Sequence, residues 1–166
     1  MKIISGGQSG VDRAALDVAI ERGVDCGGWC PKGGWAEDFP EPPGLLGPYP
    51  QLKETELSHP LQRTEWNVRD SNATLIITDG KGLAVSIGTT RALHWARQHG
   101  KPFLVVDASD HGAPARAAAW LKLQKHRFGR ELTLGIGGPR ESEAPGIYGL
   151  AKTLIAGTLD LLKAMK

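Results

Sequence analysis

Hydrophobic positions fall in two alternating patterns along the chain. Short apolar blocks occur at Met1–Ile4, Val24–Trp29, Asn72–Thr78, Phe103–Val106 and Glu131–Ile136, and each is bounded by glycine, proline or polar residues. Blocks of four to seven residues bounded in this way predict strands. Asn72–Thr78 is almost wholly apolar, as expected of a parallel strand covered on both faces. Between the blocks the spacing changes to three and four residues. Ala14–Ile20, Arg91–Gln98 and the segment from Pro114, with its stripe of Ala117, Trp120 and Leu121, all predict helices. A further helix starts at Ser58-His59-Pro60-Leu61, with proline in its first turn. The last is strongly amphipathic: Ile147, Leu150, Ala151, Leu154, Ile155, Thr158, Leu159, Leu162 and Met165 mark one buried face. Strands alternating with helices predict an α/β Rossmann-like three-layer sandwich with a mainly parallel sheet of five or more strands. At 166 residues, one domain spanning 1–166 is expected.

Three glycine-bearing turns follow predicted strands. The first, Ser5-Gly6-Gly7-Gln8-Ser9-Gly10-Val11-Asp12, leads directly into a helix. Such a turn lets backbone approach a ligand closely, and helix N–H groups backed by the dipole suit a phosphate or other oxyanion. It is neither a G-x-G-x-x-G fingerprint nor a Gly-Lys-Ser/Thr phosphate loop. The second turn carries Gly88-Thr89-Thr90 at the start of a helix, where the hydroxyls are free to cap the helix or to meet an anion. The third is Gly138-Pro139-Arg140-Glu141-Ser142. In open parallel sheets ligands bind beyond the carboxyl ends of the strands, so all three turns are expected to converge on one site. Helical spacing in the Pro60 segment places Arg63, Asn67 and Asp70 on one polar face, either a solvated face or, with Thr64, a wall of that site.

The site therefore comprises Gly6, Gly7, Gln8, Ser9, Gly10, Asp12, Arg63, Thr64, Asn67, Gly88, Thr89, Thr90, Gly138, Arg140, Glu141 and Ser142. Arg63 is the expected charge partner of a phosphate, since arginine makes bidentate contacts with it. Asp12 and Asn67 are expected to orient neighbours. Between Pro31 and Pro50 runs a long proline-rich excursion, expected to be an ordered loop over the mouth of the site, held down by Trp35 and Phe39. Lys32 in that loop is either a solvated lysine or a second anion contact.

Charge narrows the partners. A formal net charge of +2, with Lys and Arg dispersed, offers no basic stripe for nucleic acid. No apolar run approaches a membrane span, and the chain opens in a core strand rather than a leader, so a cytoplasmic protein is expected. Cys26 and Cys30, spaced C-x-x-x-C, read as two buried small hydrophobes. Neither they nor the five histidines form a ligand set for a metal, and none is expected.

Taken in order, these motifs resemble a known family. Ser5-Gly6-Gly7-Gln8-Ser9-Gly10-Val11-Asp12, then Arg63-Thr64, Asn67-Val68, Asp70-Ser71 and Ala73-Thr74-Leu75, then Gly88-Thr89 and Gly100-Lys101-Pro102, then Gly138-Pro139-Arg140-Glu141-Ser142 and Pro145-Gly146-Ile147-Tyr148 are similar to the putative molybdenum carrier family. That family lies within the SLOG superfamily of lysine-decarboxylase-like Rossmann folds. The resemblance implies a binding protein rather than an enzyme. It would carry molybdenum cofactor (molybdopterin) or a related phosphate-bearing heterocycle, pass it to molybdoenzymes or cofactor-synthesis proteins, and assemble as a homo-oligomer, a dimer or tetramer. Phosphate and ring contacts suffice to hold such a cofactor without protein metal ligands.

Two alternatives come from the same superfamily. Phosphoribohydrolases acting on nucleoside monophosphates resemble Pro-Gly-Gly-x-Gly-Thr-x-x-Glu at the second turn. Here Gly88-Thr89 is kept but Ala92 stands where the catalytic Glu falls, leaving Asp12, Asp79 or Glu141 to replace it. A single-strand DNA binder similar to the DNA-processing protein of natural transformation fits less well with the near-neutral charge and few aromatics.

Overall fold

The computed structural model describes residues 1–165. Its centre is one sheet of six parallel strands: β1 (Lys2–Ile4), β2 (Asp25–Cys30), β3 (Leu52–Glu54), β4 (Ala73–Thr78), β5 (Phe103–Asp107) and β6 (Thr133–Gly137). The spatial order is β3-β2-β1-β6-β4-β5, so the last strand in sequence lies at the middle of the sheet. The helices are α1 (Val11–Glu21), α2 (Pro60–Arg69), α3 (Ile87–Gln98), α4 (Ala113–Phe128) and α5 (Ile147–Ala164).

Alternation along the strands divides the core. Ile3, Leu75, Ile77, Val106, Leu134 and Ile136 face α1, α4 and α5, where they join Leu121, Ile147, Leu154 and Ile155 in the larger hydrophobic cluster. The opposite face is covered only in part. α2 and α3 pack there through a small cluster of Val68, Ala92 and Ala96 with Trp95 and Phe103. On β6 this face presents Gly135 and Gly137 in place of side chains, so the sheet next to β1 is left without an apolar layer.

Five of the six strands lie where the hydrophobic blocks predict. β3 differs: no hydrophobic block predicts a strand at Leu52–Glu54. It is a three-residue edge strand with two exposed charged positions, too short and too polar for an apolar block. β6 begins two residues later than expected, because Gly129–Glu131 forms a 3₁₀ turn. Cys30 is buried, as expected of a small hydrophobe, but Cys26 is only partly so; its Sγ receives the Gln51 side-chain amide at 3.6 Å. Gly28 between them has φ 140°, and a Cβ there would run into the Ser5 carbonyl.

Lys101 joins two of these elements. Its ammonium donates to the carbonyls of Val68 at 3.0 Å, Ser71 at 2.7 Å, and Arg69, and so caps the C-terminal end of α2. His59 caps the other end, its ring Nδ1 accepting from the Leu61 N–H at 3.3 Å, with Pro60 first in the helix.

Candidate functional site

With all strands parallel, the turns after β1, β4 and β6 emerge at one edge of the sheet, and β1-β6-β4 are neighbours. A cavity of about 420 Å³ opens there, under α2 and α3, a size typical of small-molecule sites. Its lining includes Gly6, Gln8 and Asp12 from the first turn, and Arg63, Thr64 and Asn67 from α2. Gly88 and Thr89 come from the start of α3, and Gly138 and Arg140 from the third turn.

Arg63 and Asp12 meet at the edge of this cavity. Arg63 Nη1 donates to Asp12 Oδ2 at 2.6 Å, and both side chains are largely buried. The pair lies against Gly6, where any Cβ would strike the guanidinium and the carboxylate. Burial pushes the Asp12 carboxyl above the usual carboxylate range, against the pull of Arg63 and of the Gln8 and Gly138 N–H groups that donate to it. Asn67 has a supporting part: Oδ1 accepts from the Trp29 N–H at 2.8 Å and Nδ2 donates to the Trp29 carbonyl at 2.9 Å, tying α2 to β2. Asp70, on the same predicted face, turns away from the cavity and accepts from Trp29 Nε1 at 2.7 Å.

The first glycine turn is largely closed by protein. The Val11 N–H donates to the Pro139 carbonyl, the Ser9 N–H to Gln8 Oε1, and a Cβ on Gly10 would overlap the Pro139–Arg140 backbone. Gln8 Oε1 also accepts from the Glu37 N–H at 2.9 Å. Ser9 Oγ donates to Glu37 Oε1 and accepts from the Glu141 N–H at 3.1 Å. Ser142 donates from Oγ to Glu37 Oε2 at 2.5 Å and from its N–H to Oε1. Glu37 thus clasps the 31–50 loop to both turns. Burial raises the Glu37 carboxyl, but the hydrogen bonds from Ser142 and Ser9 and the nearby Arg140 outweigh it and hold the group below its ordinary value.

The sixteen predicted site residues are therefore divided in space. Ser9, Gly10, Glu141 and Ser142 line a second cleft with Arg13, Asp17 and Tyr148. Gly7 faces the side chains of Leu52, Leu45 and Leu16, and the Thr90 hydroxyl donates back to the Leu83 and Ser86 carbonyls. Lys32 lines neither cavity. Of the loop aromatics, Trp35 lines the main cavity, whereas Phe39 packs against the smaller cluster under the loop, where the Arg13 guanidinium lies 4.9 Å from its ring centroid.

The open anion geometry belongs to α3. Ser86 caps it by accepting from the Thr89 N–H at 3.2 Å, and the N–H groups of Ile87 and Gly88 find no acceptor among the described residues. Thr89 Oγ1 is buried with no hydrogen-bond partner, and its residue is 2% exposed. The start of α2, at His59, Pro60 and Leu61, borders the same cavity. Two helix N-termini therefore direct positive dipole ends toward it. Sequence reasoning missed Thr74, Gly135, Gly137, His59 and Glu143 in the lining. The alternation Gly135-Ile136-Gly137, which runs past the end of the Glu131–Ile136 block, was the available signal for the floor.

Of the three carboxylates weighed as hydrolytic replacements, Asp12 lines the cavity, paired with Arg63, whereas Asp79 accepts from the Lys81 N–H and Glu141 caps α5 by accepting from the Gly146 and Tyr148 N–H groups, and these two do not line it. Glu143, which does, is bonded to Arg140. Burial pushes the Cys30 thiol up to about 11. Among the described residues no three His, Cys, Asp or Glu side chains gather as metal ligands, and no helix is long and apolar enough to cross a membrane.

Comparison with family models matches residues 3–159 to the circularly permuted YpsA SLOG family. The chain belongs to that family. Its fold also matches the crystal structure of a putative molybdenum carrier protein from Syntrophus aciditrophicus SB, with a TM-score of 0.80. The two are 38% identical over 95% of this chain and 94% of that one. No curated protein shows significant similarity.

Proposed function

We propose that this protein binds and carries a phosphate-bearing heterocycle in the cavity under α2 and α3, with molybdenum cofactor as the cargo. The observation that carries the proposal is the buried, unpartnered Thr89 hydroxyl at the open N-terminus of α3. A buried hydroxyl without a partner costs on the order of 1–3 kcal/mol, and a ligand phosphate supplies the missing bond. The phosphate sits at the Ile87 and Gly88 N–H groups and Thr89, with Arg63 on its other side. Asp12 fixes that guanidinium through Nη1 and leaves its remaining donors for the ligand. The name of the Syntrophus aciditrophicus relative supports the choice of cargo. Carriage rather than turnover fits the carboxylates near the cavity, which are tied to Arg63 and Arg140.

The experiment is to denature freshly purified protein, oxidise the supernatant mildly, and look in one chromatographic run for a fluorescent pterin and for nucleotides. A stoichiometric pterin peak is expected. A nucleotide or free base in its place would replace the cargo with a nucleotide and move the reading toward hydrolysis.

A further inference from the structure

Resting on that reading of the cavity, we infer that its floor is a second subsite that selects the ligand's ring. A flat heterocycle lies on the bare backbone of β6 at Gly137, and the Thr74 hydroxyl reads its hydrogen-bonding edge. Thr74 stands on β4 directly beside Gly135 in the sheet register, on the face away from the large core cluster. It lines the cavity, is 3% exposed, and its Oγ1 has no hydrogen-bond partner. Buried hydroxyls in this sheet otherwise find a carbonyl, as Thr78 does at Val106 and Ser5 at Ile136. Ser71 Oγ, which also lies beside Gly135, spends its proton on the Asn67 carbonyl at 2.6 Å, and Thr74 Oγ1 makes no bond to it.

The two floor glycines differ in what requires them. At Gly135 a Cβ would come within 2.7 Å of Ser71 Oγ, so packing excludes a side chain. At Gly137 the backbone is in an ordinary strand conformation, and the nearest atom to a Cβ is Asp12 Oδ1 at 3.5 Å, ordinary contact. Neither packing nor backbone strain requires glycine at 137. A methyl group there would stand in the cavity, above the floor a flat ring would occupy.

Thr74 is a hydroxyl, able to donate to a ring carbonyl or accept from a ring amino group. This fits an uncharged edge such as the 2-amino-4-oxopyrimidine edge that pterins and guanine share.

The test is calorimetric titration of the wild-type protein, Thr74→Val and Gly137→Ala with guanosine 5′-monophosphate, which carries that edge and a phosphate, and with ribose 5-phosphate, which lacks the ring. Wild type should bind the nucleotide at least about tenfold more tightly than the sugar phosphate. Thr74→Val should lose roughly tenfold toward the nucleotide, the worth of one hydrogen bond, and nothing toward the sugar phosphate. Its ligand-free melting temperature should hold or rise, because an unsatisfied buried group has been removed. Gly137→Ala should lose nucleotide affinity with an unchanged melting temperature. Equal nucleotide affinity in wild type and Thr74→Val would overturn the ring subsite and leave the phosphate site standing. So would wild type binding the two probes equally. Wild type that binds neither would remove the cavity reading, and the subsite with it.

Discussion

The Asp12–Arg63 pair shows how much a single residue's chemistry depends on its surroundings. Breaking it from one side leaves a buried charge: Arg63→Ala should cost about 3 kcal/mol of unfolding free energy, read from urea denaturation. Combining Asp12→Asn with Arg63→Gln should cost less than the two single changes added, with a coupling on the order of 1–3 kcal/mol. Strict additivity would mean that the pair carries no interaction energy. Arg63 was legible as a charged member of the site, because helical spacing put it on a face with Asn67. Asp12 was legible as an orienting residue of the site, but not its pairing with Arg63, since the two lie 51 residues apart and only the folded sheet brings them together. Gln8 and Ser9 illustrate the reverse. Polar residues at a glycine turn point to a ligand, yet here their side chains hold Glu37, a contact across 28 and 29 residues that local reading does not reveal.

At the scale of elements, strands covered on both faces and long amphipathic helices were readable, because burial writes itself as periodicity. β3 was not, since an edge strand of three residues has one covered position, Leu52. Two contacts that fasten elements together can be tested directly. Lys101→Met removes the ammonium from the α2 carbonyls, and thermal or urea unfolding should show a loss of about 1–2 kcal/mol, reduced by partial exposure. An unchanged midpoint would show that water replaces the cap without cost. Glu37 titrates below its ordinary value of 4.5 when folded, so its contribution to stability is complete above that pH and is lost as pH falls through the depressed value. The melting temperature of wild type should therefore fall faster than that of Glu37→Gln between about pH 5 and pH 3. Parallel profiles would mean that the carboxylate does not hold the loop.

Across the whole molecule, the arrangement of function follows from strand order. Placing β6 between β1 and β4 brings three turns to one edge and puts two glycines where α2 and α3 leave the sheet uncovered. The α/β class and the edge at which the turns meet were legible from the alternation of blocks. Which turn stays open was not, because it depends on the third turn packing against the first, at Gly10.

The central claim is that a phosphate-bearing ligand sits at the α3 N-terminus, and the most direct measurement is a crystal structure of the protein saturated with guanosine 5′-monophosphate. The account predicts the phosphate within hydrogen-bonding distance of Thr89 Oγ1 and the Gly88 N–H, with Arg63 still paired to Asp12. Density for the ligand in the Ser9–Glu37–Ser142 cleft, or a main cavity left empty at saturation, would contradict it.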